Sequence, residues 1–328
     1  MPQVGSAKVN VQKLSQAGFV VRNLQQVMEN YWNILGIGPW DIFEWEAPLV
    51  YDRRYHGNLV WARDRIAVTW LGELQLELCQ PVEGNSIYQD WIDEHGDGFH
   101  HLNFWVDDID GIAEILAGQG FPVIQSGRYG PREANCGFKY IDTTKPLRTI
   151  WEPVHPGEKP GAKHSRYPED PAEKSPARVK IKEANKVTIA VKDLQQVTEN
   201  YQHILGIGPW DVLEWETPLV YDRKYHGNPA WAREKVARAQ VGGVKLELCQ
   251  YVDGDSVYND FLKKHGEVLH HVSFLVDNVE KTVEALAELG FPSIQSGRFG
   301  TDKRGCAYHY VDIEPLCAVF EITNDGGK

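Results

Sequence analysis

Apolar and polar residues alternate with a period of two along several short stretches of the chain. Leu74, Leu76 and Leu78 fall on one side of such a stretch, and Glu73, Gln75 and Glu77 on the other. Leu102, Phe104 and Val106 likewise oppose His101, Asn103 and Trp105. Side chains point to alternate faces of a strand, so each stretch predicts a sheet with one packed and one polar face. Leu24, Val27, Tyr31, Ile34 and Leu35 instead keep a helical period, which Gly36 and the Gly38-Pro39 pair terminate. The order is a strand at 16–22, that helix, and strands at 40–46, 61–71 and 73–80. A short amphipathic segment at 86–95 follows. A second round has a strand at 101–106, a helix at 109–117, and strands at 121–126, 137–142 and 148–153. The pattern is βαβββ twice.

The chain then repeats itself. Residues 25–58 and 195–228 agree at 27 of 34 positions with a constant offset of 170. The match returns at Leu76–Gln80 and 246–250, at the histidine pairs His100-His101 and His270-His271, and at 120–128 and 290–298. Each copy is too long for a solenoid repeat and has the size of a domain. The expected organisation is a module over 1–152, a linker over 153–180 and a second module over 181–328. The linker holds six prolines among many charges and has no apolar period. Four βαβββ units result, an α+β class.

Composition narrows the function. The chain has 328 residues, 42% hydrophobic and 24% charged, with 11 Trp, 14 Tyr and 11 Phe, which excludes disorder throughout. No stretch reaches the roughly 20 apolar residues of a membrane helix, and the N-terminus lacks a signal-peptide core. A net charge of -12 disfavours nucleic acid. Five cysteines without a CxxC pair argue against a disulfide framework or zinc knuckle and for a cytoplasmic setting. The expected partner is a small-molecule substrate, with no nucleic acid, no membrane, and a monomer or homodimer.

Strong bending of the sheet would turn the polar faces toward one another. Gln16, Glu77, His101 and Glu152 would then converge, one per strand. Three oxygen ligands and one imidazole suit one divalent metal ion with open positions: Zn, Ni, Co, Mn or Fe. The plainer reading is a solvated polar face. The matching positions in the second copy are Lys186, Glu247, His271 and Glu321. A protonated lysine has no lone pair for a metal, and its charge between two glutamates would substitute for one. This second site is therefore expected to be degenerate. A lysine acting as base or Schiff-base nucleophile is the alternative. Pairing of units across the copies would instead join Gln16 and Glu77 to His271 and Glu321.

Four motifs sharpen this. Gln-Ala-Gly-Phe-Val-Val-Arg-Asn-Leu at 16–24, Leu-Gly-Ile-Gly-Pro at 35–39, Leu-Glu-Leu-Cys-Gln-Pro at 76–81 and Gly-Phe-His-His-Leu-Asn-Phe-Trp-Val-Asp-Asp at 98–108 resemble the vicinal oxygen chelate superfamily. That superfamily includes glyoxalase I, methylmalonyl-CoA epimerase, extradiol dioxygenases, and fosfomycin- and bleomycin-resistance proteins. The resemblance covers both copies, is closest to the glyoxalase and epimerase branch, and marks a tandem two-module member. It implies units paired into two open, strongly curved eight-stranded sheets of glyoxalase-like form. It assigns the ligand positions to Gln16, Glu77, His101 and Glu152. His101, not His100, aligns with the ligand, and His100 is expected to point toward the helices or the rim. The implied chemistry is a metal-dependent lyase or isomerase/epimerase that abstracts a proton next to a carbonyl through a metal-stabilised enediolate. Glu152 or Glu77 would be the base. A non-catalytic small-molecule binding or resistance protein is the alternative. An iron dioxygenase is disfavoured because Gln16 stands where it would want a histidine.

The surroundings suggest an aromatic, apolar or sugar-like substrate. Trp40, Trp45, Trp61, Trp70, Trp105 and Tyr51 lie on or beside the framing strands, and Asn103 and Trp105 share the face of His101. The block at 51–57 reads as a loop or hairpin at the pocket rim. There Arg53 and Tyr55 could hold a substrate oxygen anion and His56 could be a second acid or base.

Overall fold

The computed structural model describes residues 9–132, 136–155, 165–170, 172–300 and 306–324. The first module begins with β1 (Lys13–Val20) and α1 (Leu24–Asn30), which the π-helical turn Tyr31–Leu35 extends. Asn23 caps α1 by accepting from the Gln26 amide, and Gly36 at φ 68 ends the helix in the left-handed region. Then come β2 (Trp40–Trp45), β3 (Val50–Tyr55), β4 (Asn58–Leu59), β5 (Ala62–Leu71), β6 (Leu74–Gly84) and α2 (Ile87–His95). The second unit is β7 (Gly98–Trp105), α3 (Ile109–Gly118), β8 (Val123–Tyr129), β9 (Gly137–Ile141), α4 (Thr144–Leu147) and β10 (Ile150–Val154). A short β11 (Ser165–Tyr167) follows in the connector.

The second module repeats the order. It comprises β12 (Ile181–Val191), α5 (Leu194–Leu205), β13 (Asp211–Trp215), β14 (Val220–Tyr225), β15 (Asn228–Pro229), β16 (Ala232–Val241), β17 (Val244–Gly254) and α6 (Val257–His265). It ends with β18 (Leu269–Val276), α7 (Val279–Glu288), β19 (Ser293–Phe299), β20 (Ala307–Ile313) and β21 (Ala318–Thr323). Among the described residues, no helix is long and apolar enough to cross a membrane.

The strand order in the first sheet is β11-β2-β5-β6-β1-β7-β10-β9-β8-β3-β4. Units one and two therefore join within a copy, along the antiparallel pair β1 and β7. Units three and four join the same way through β12 and β18. Pairing of βαβββ units alone gives eight strands. The additional pair is the block at 51–57, which leaves its own unit and adds a hairpin to β8 at the far edge. His56 and Gly57, both at positive φ, make its tight turn. The connector also contributes to the first sheet. Its β11 covers the outer side of β2, and Arg166 Nε donates to Asp41 Oδ1 at 2.9 Å. Ile42 on β2 is only 3% exposed, whereas its counterpart Val212 on β13 is 62% exposed.

The apolar strand faces are buried as the alternation predicts. Leu76, Leu78, Phe104, Leu246 and Phe274 belong to one continuous core that spans both modules. Helix α1 lies on β5 and β6 and touches the short turn Glu314–Leu316 of the other module, while α5 lies on β16 and β17 and touches α4. Two pairs of hydrogen bonds repeat this arrangement. Tyr31 Oη donates to the Leu316 carbonyl at 3.3 Å and Tyr201 Oη to the Leu147 carbonyl at 2.9 Å. Asn30 and Asn200 bond the Pro315 and Pro146 carbonyls in the same fashion.

One irregularity positions the site. Leu14 and Ala17 both enter the shared core although they are three positions apart, an odd step that a regular strand forbids. A bulge against β7 between Leu14 and Gln16 absorbs it, and both Ser15 and Gln16 then face the concave side. In β12, Ala184 and Val187 flank the same bulge, with Asn185 and Lys186 turned inward.

The lock between modules is testable. Tyr201→Phe keeps the ring and strands the buried Leu147 carbonyl, so denaturant unfolding should show a loss of about 1 to 3 kcal/mol. A midpoint equal to that of the unmodified chain would show that the hydroxyl contributes nothing.

Candidate metal and substrate site

Strands β6, β1, β7 and β10 are consecutive in the sheet, and its curvature turns their concave faces together. Each supplies one polar group: Glu77, Gln16, His101 and Glu152 respectively. His101 Nε2 lies 3.2 Å from Glu77 Oε2 and 3.5 Å from Glu152 Oε2. Asn103 Nδ2 donates to Glu152 Oε2 at 2.9 Å and in turn accepts from Ser15 Oγ at 2.6 Å. Gln16 Nε2 donates to Gln75 Oε1 at 2.6 Å. That bond turns the other end of the amide away, and Gln16 Oε1 is buried with no partner. His101 Nε2 is also buried, and despite its short distance to Glu77 it makes no well-angled hydrogen bond.

Gly18 makes this geometry possible. It stands opposite His101 in the β1–β7 register, and a Cβ there would lie 1.9 Å from His101 Cε1. The imidazole occupies the space of the missing side chain. A second register shift, between Gly18 and Phe19, leaves His100 without a partner on β1. As expected, His100 points to a helix, here α2, and does not line the site's cavity. It packs against Tyr88 and Trp91 of α2, with its Nδ1 3.0 Å from His101 Nδ1.

Burial dominates the electrostatics. It pushes the Glu152 carboxyl up to about 7; the Glu77 charge adds to the shift, and His101 and the Asn103 hydrogen bond oppose it. Burial alone would lower the His101 imidazole, but the two carboxylates beside it more than reverse this, and its proton affinity is raised. One proton is thus readily shared between His101 and Glu152.

Above this polar floor lies a cavity of about 220 Å³, walled by Phe43, Trp45, Trp70, Trp105, Phe138 and Tyr140. The sequence predicts six aromatics near it. Trp45, Trp70 and Trp105 line it, Trp40 is fully buried in the shared core, and Trp61 and Tyr51 border a different surface pocket. Asn103 lies on the floor. Arg53, Tyr55 and His56 do not reach it, because their hairpin belongs to the far edge of the sheet. Arg53 is spent on a buried ion pair with Asp64 at 2.5 Å, and Tyr55 donates to Asp90 at 2.9 Å. His56 lines a separate cavity of about 380 Å³ behind α2. Ser15, Gln75, Tyr88 and Tyr140 were not singled out from the sequence. The odd step from Leu14 to Ala17 is the signal that could have exposed Ser15.

The donors suit a divalent cation in kind: an amide oxygen, two carboxylates and an imidazole nitrogen, two of these atoms lacking partners. Ligands about 2.1 Å from a tetrahedral ion stand about 3.4 Å apart, near the spacings around His101. Among the described residues, no group of three His, Cys, Asp or Glu side chains forms a ready-made metal cage. Gln16 and small side-chain shifts would have to complete it.

The second module solves the same problem differently. Lys186 Nζ lies 3.1 Å from Glu247 Oε1 and 2.9 Å from Glu321 Oε2, and Arg238 Nε lies 2.6 Å from Glu247 Oε2. Thr188 replaces Gly18 and donates to Glu247 Oε1 at 3.0 Å. Burial raises both carboxyls, but Lys186 and Arg238 hold Glu247 down to about 2, and Lys186 with His271 and Ser273 holds Glu321 well below the usual range. His271 stands 3.8 Å from Glu321, and burial keeps it below the ordinary imidazole value.

Residues 15–140 and 185–308 each match the model of the glyoxalase/bleomycin resistance protein/dioxygenase superfamily. The chain belongs to that superfamily. Superfamily folds recur among solved structures at low identity. A 4-hydroxymandelate synthase mutant from Streptomyces coelicolor aligns over 97% of this chain and 94% of its own, with TM-score 0.62 and 15% identity. The Mn(II)-bound glyoxalase from Novosphingobium aromaticivorans aligns over 97% and 83%, with TM-score 0.51 and 12% identity. These likenesses establish the tandem glyoxalase-like fold. The uncharacterised protein YqjC of Bacillus subtilis is 32% identical over 102 residues, which span 31% of this chain and 63% of that relative.

Two substitutions test the site's physics. Gly18→Ala should displace the His101 imidazole, seen as a shifted histidine resonance by NMR, while Thr188→Ala leaves His271 where it is. Lys186→Met should destabilise the fold by about 3 kcal/mol, the lower end for a broken buried pair because Arg238 remains. Depressed carboxyls stabilise above their unfolded values and lose that contribution as pH falls toward about 2. The variant should therefore show a flatter stability profile between pH 5 and 2 in acid unfolding.

Proposed function

We propose that the first module is a metal-dependent lyase or isomerase/epimerase acting on a small aromatic or apolar carbonyl compound. What carries this reading is the convergence of Gln16, Glu77, His101 and Glu152 beneath an aromatic cavity, with Gln16 Oε1 and His101 Nε2 unpartnered. A divalent ion (Zn, Ni, Co, Mn or Fe) held by these four residues would supply Lewis-acid stabilisation of negative charge on the carbonyl oxygen. Glu152 takes the proton from the carbon next to the carbonyl, since it lines the cavity and a carboxylate held by Asn103 is oriented for it. Return of the proton to the same carbon is epimerisation, and return to its neighbour is isomerisation. Loss of a leaving group from that neighbour is elimination. The aromatic walls hold the substrate body and exclude water. A cytoplasmic setting fits five cysteines without a CxxC pair.

The lack of a ready-made cage among the described residues favours one competing reading, a binding protein of the same fold without turnover. An iron dioxygenase fits less well, because the floor offers a single imidazole where a facial triad uses two.

Elemental analysis of the purified chain separates these. One equivalent of divalent metal should be present, lost in Glu152→Ala and retained in Glu321→Ala. Aromatic α-hydroxy ketones incubated with the metal-loaded enzyme in deuterated water should take up deuterium, and Glu152→Gln should abolish this. Metal-free protein that still binds such ketones would establish the sequestering role instead.

A further inference from the structure

The second module has a cavity at the position of the first module's site, but its lining has changed sign. Gln16, Val68 and Gln75 of the first module are replaced by Lys186, Arg238 and Lys245. The charged groups facing this cavity or just beneath it are these three cations and the carboxylates Glu247 and Glu321. One positive charge is left over, in a chain whose net charge is -12.

The surplus is located on two side chains. Lys186 is saturated by both glutamates. Arg238 uses only Nε, on Glu247, and its guanidinium lies 5.1 Å over the Trp215 ring. Its terminal amino groups make no hydrogen bond among the described residues, and the side chain is 29% exposed. Lys245 has no ion pair among the described residues, yet it lines the cavity. A pinned guanidinium with a free outer fork, and an ammonium beside it, form a donor set for a planar anion.

We propose that this cavity is a binding site for a small carboxylate with an apolar or aromatic body. The volume is about 70 Å³, well above the roughly 10–15 Å³ that one water needs, so a carboxylate group fits. The body then rests against Trp215, Leu275 and Phe299 at the opening. A single surplus charge suits a monoanion. The two glutamates beneath it repel a dianion such as phosphate. The second module thus takes an organic acid where the first takes a cation and a carbonyl compound.

Titration of the full-length chain with fluorobenzoate, followed by fluorine NMR, tests this. One saturable site per chain is expected. Lys245→Gln and Arg238→Val, which install the first module's residues, should each weaken binding about tenfold or more. Lys245 has no partner to lose, so Lys245→Gln remains decisive if Arg238→Val folds poorly. Affinity unchanged in Lys245→Gln overturns the assignment, as does the absence of saturable binding. Inorganic phosphate competing more strongly than fluorobenzoate overturns the carboxylate specificity.

Discussion

Two carboxylates buried in one concavity repel each other unless a positive charge or a proton sits between them. The bent sheet of each module imposes that condition by turning four consecutive central strands toward a common floor. In the first module His101 and a carboxyl that holds its proton to about 7 meet the requirement, which leaves lone pairs and a hydrogen exchangeable near neutral pH. In the second module Lys186 and Arg238 meet it permanently. The same constraint thus yields a poised site in one half and a neutralised one in the other.

The contrast depends on very small side-chain differences. Gly18 gives His101 room to lean over β1, while Thr188 fills that space and bonds Glu247. The bulge at Ser15 and Gln16 turns two successive residues into the cavity, so one strand supplies both the amide and the hydroxyl that orients Asn103. Asn103 in turn fixes one oxygen of Glu152. The hydrogen-bonding chain runs from a backbone irregularity to the group proposed to move the proton.

Much of this was legible before any coordinates. The repeat is exact enough to divide the chain, and period-two alternation assigns Leu76 and Leu78 to the core and Glu77 to the hollow. The four polar positions of each copy follow from the same parity once bending is assumed. Parity fails at a bulge, which is why the sequence does not single out Ser15. The hairpin at 51–57 carries residues that look chemical, yet long-range pairing with β8 takes it to the opposite edge. No local pattern encodes that partner. Aromatic walls posed a different difficulty, since Trp40 and Trp45 look alike in sequence and only the fold assigns one to the core and the other to the cavity.

The connector strand β11 gives the two sheets unequal margins. It zips against β2 and shuts Ile42 away, whereas β13 ends its sheet among the described residues, with Val212 in solvent. Foreign extended chain can add to such an edge. An edge of that kind is where accretion would start in the C-terminal half, while the tether acts as a selvedge along this one margin of the N-terminal sheet.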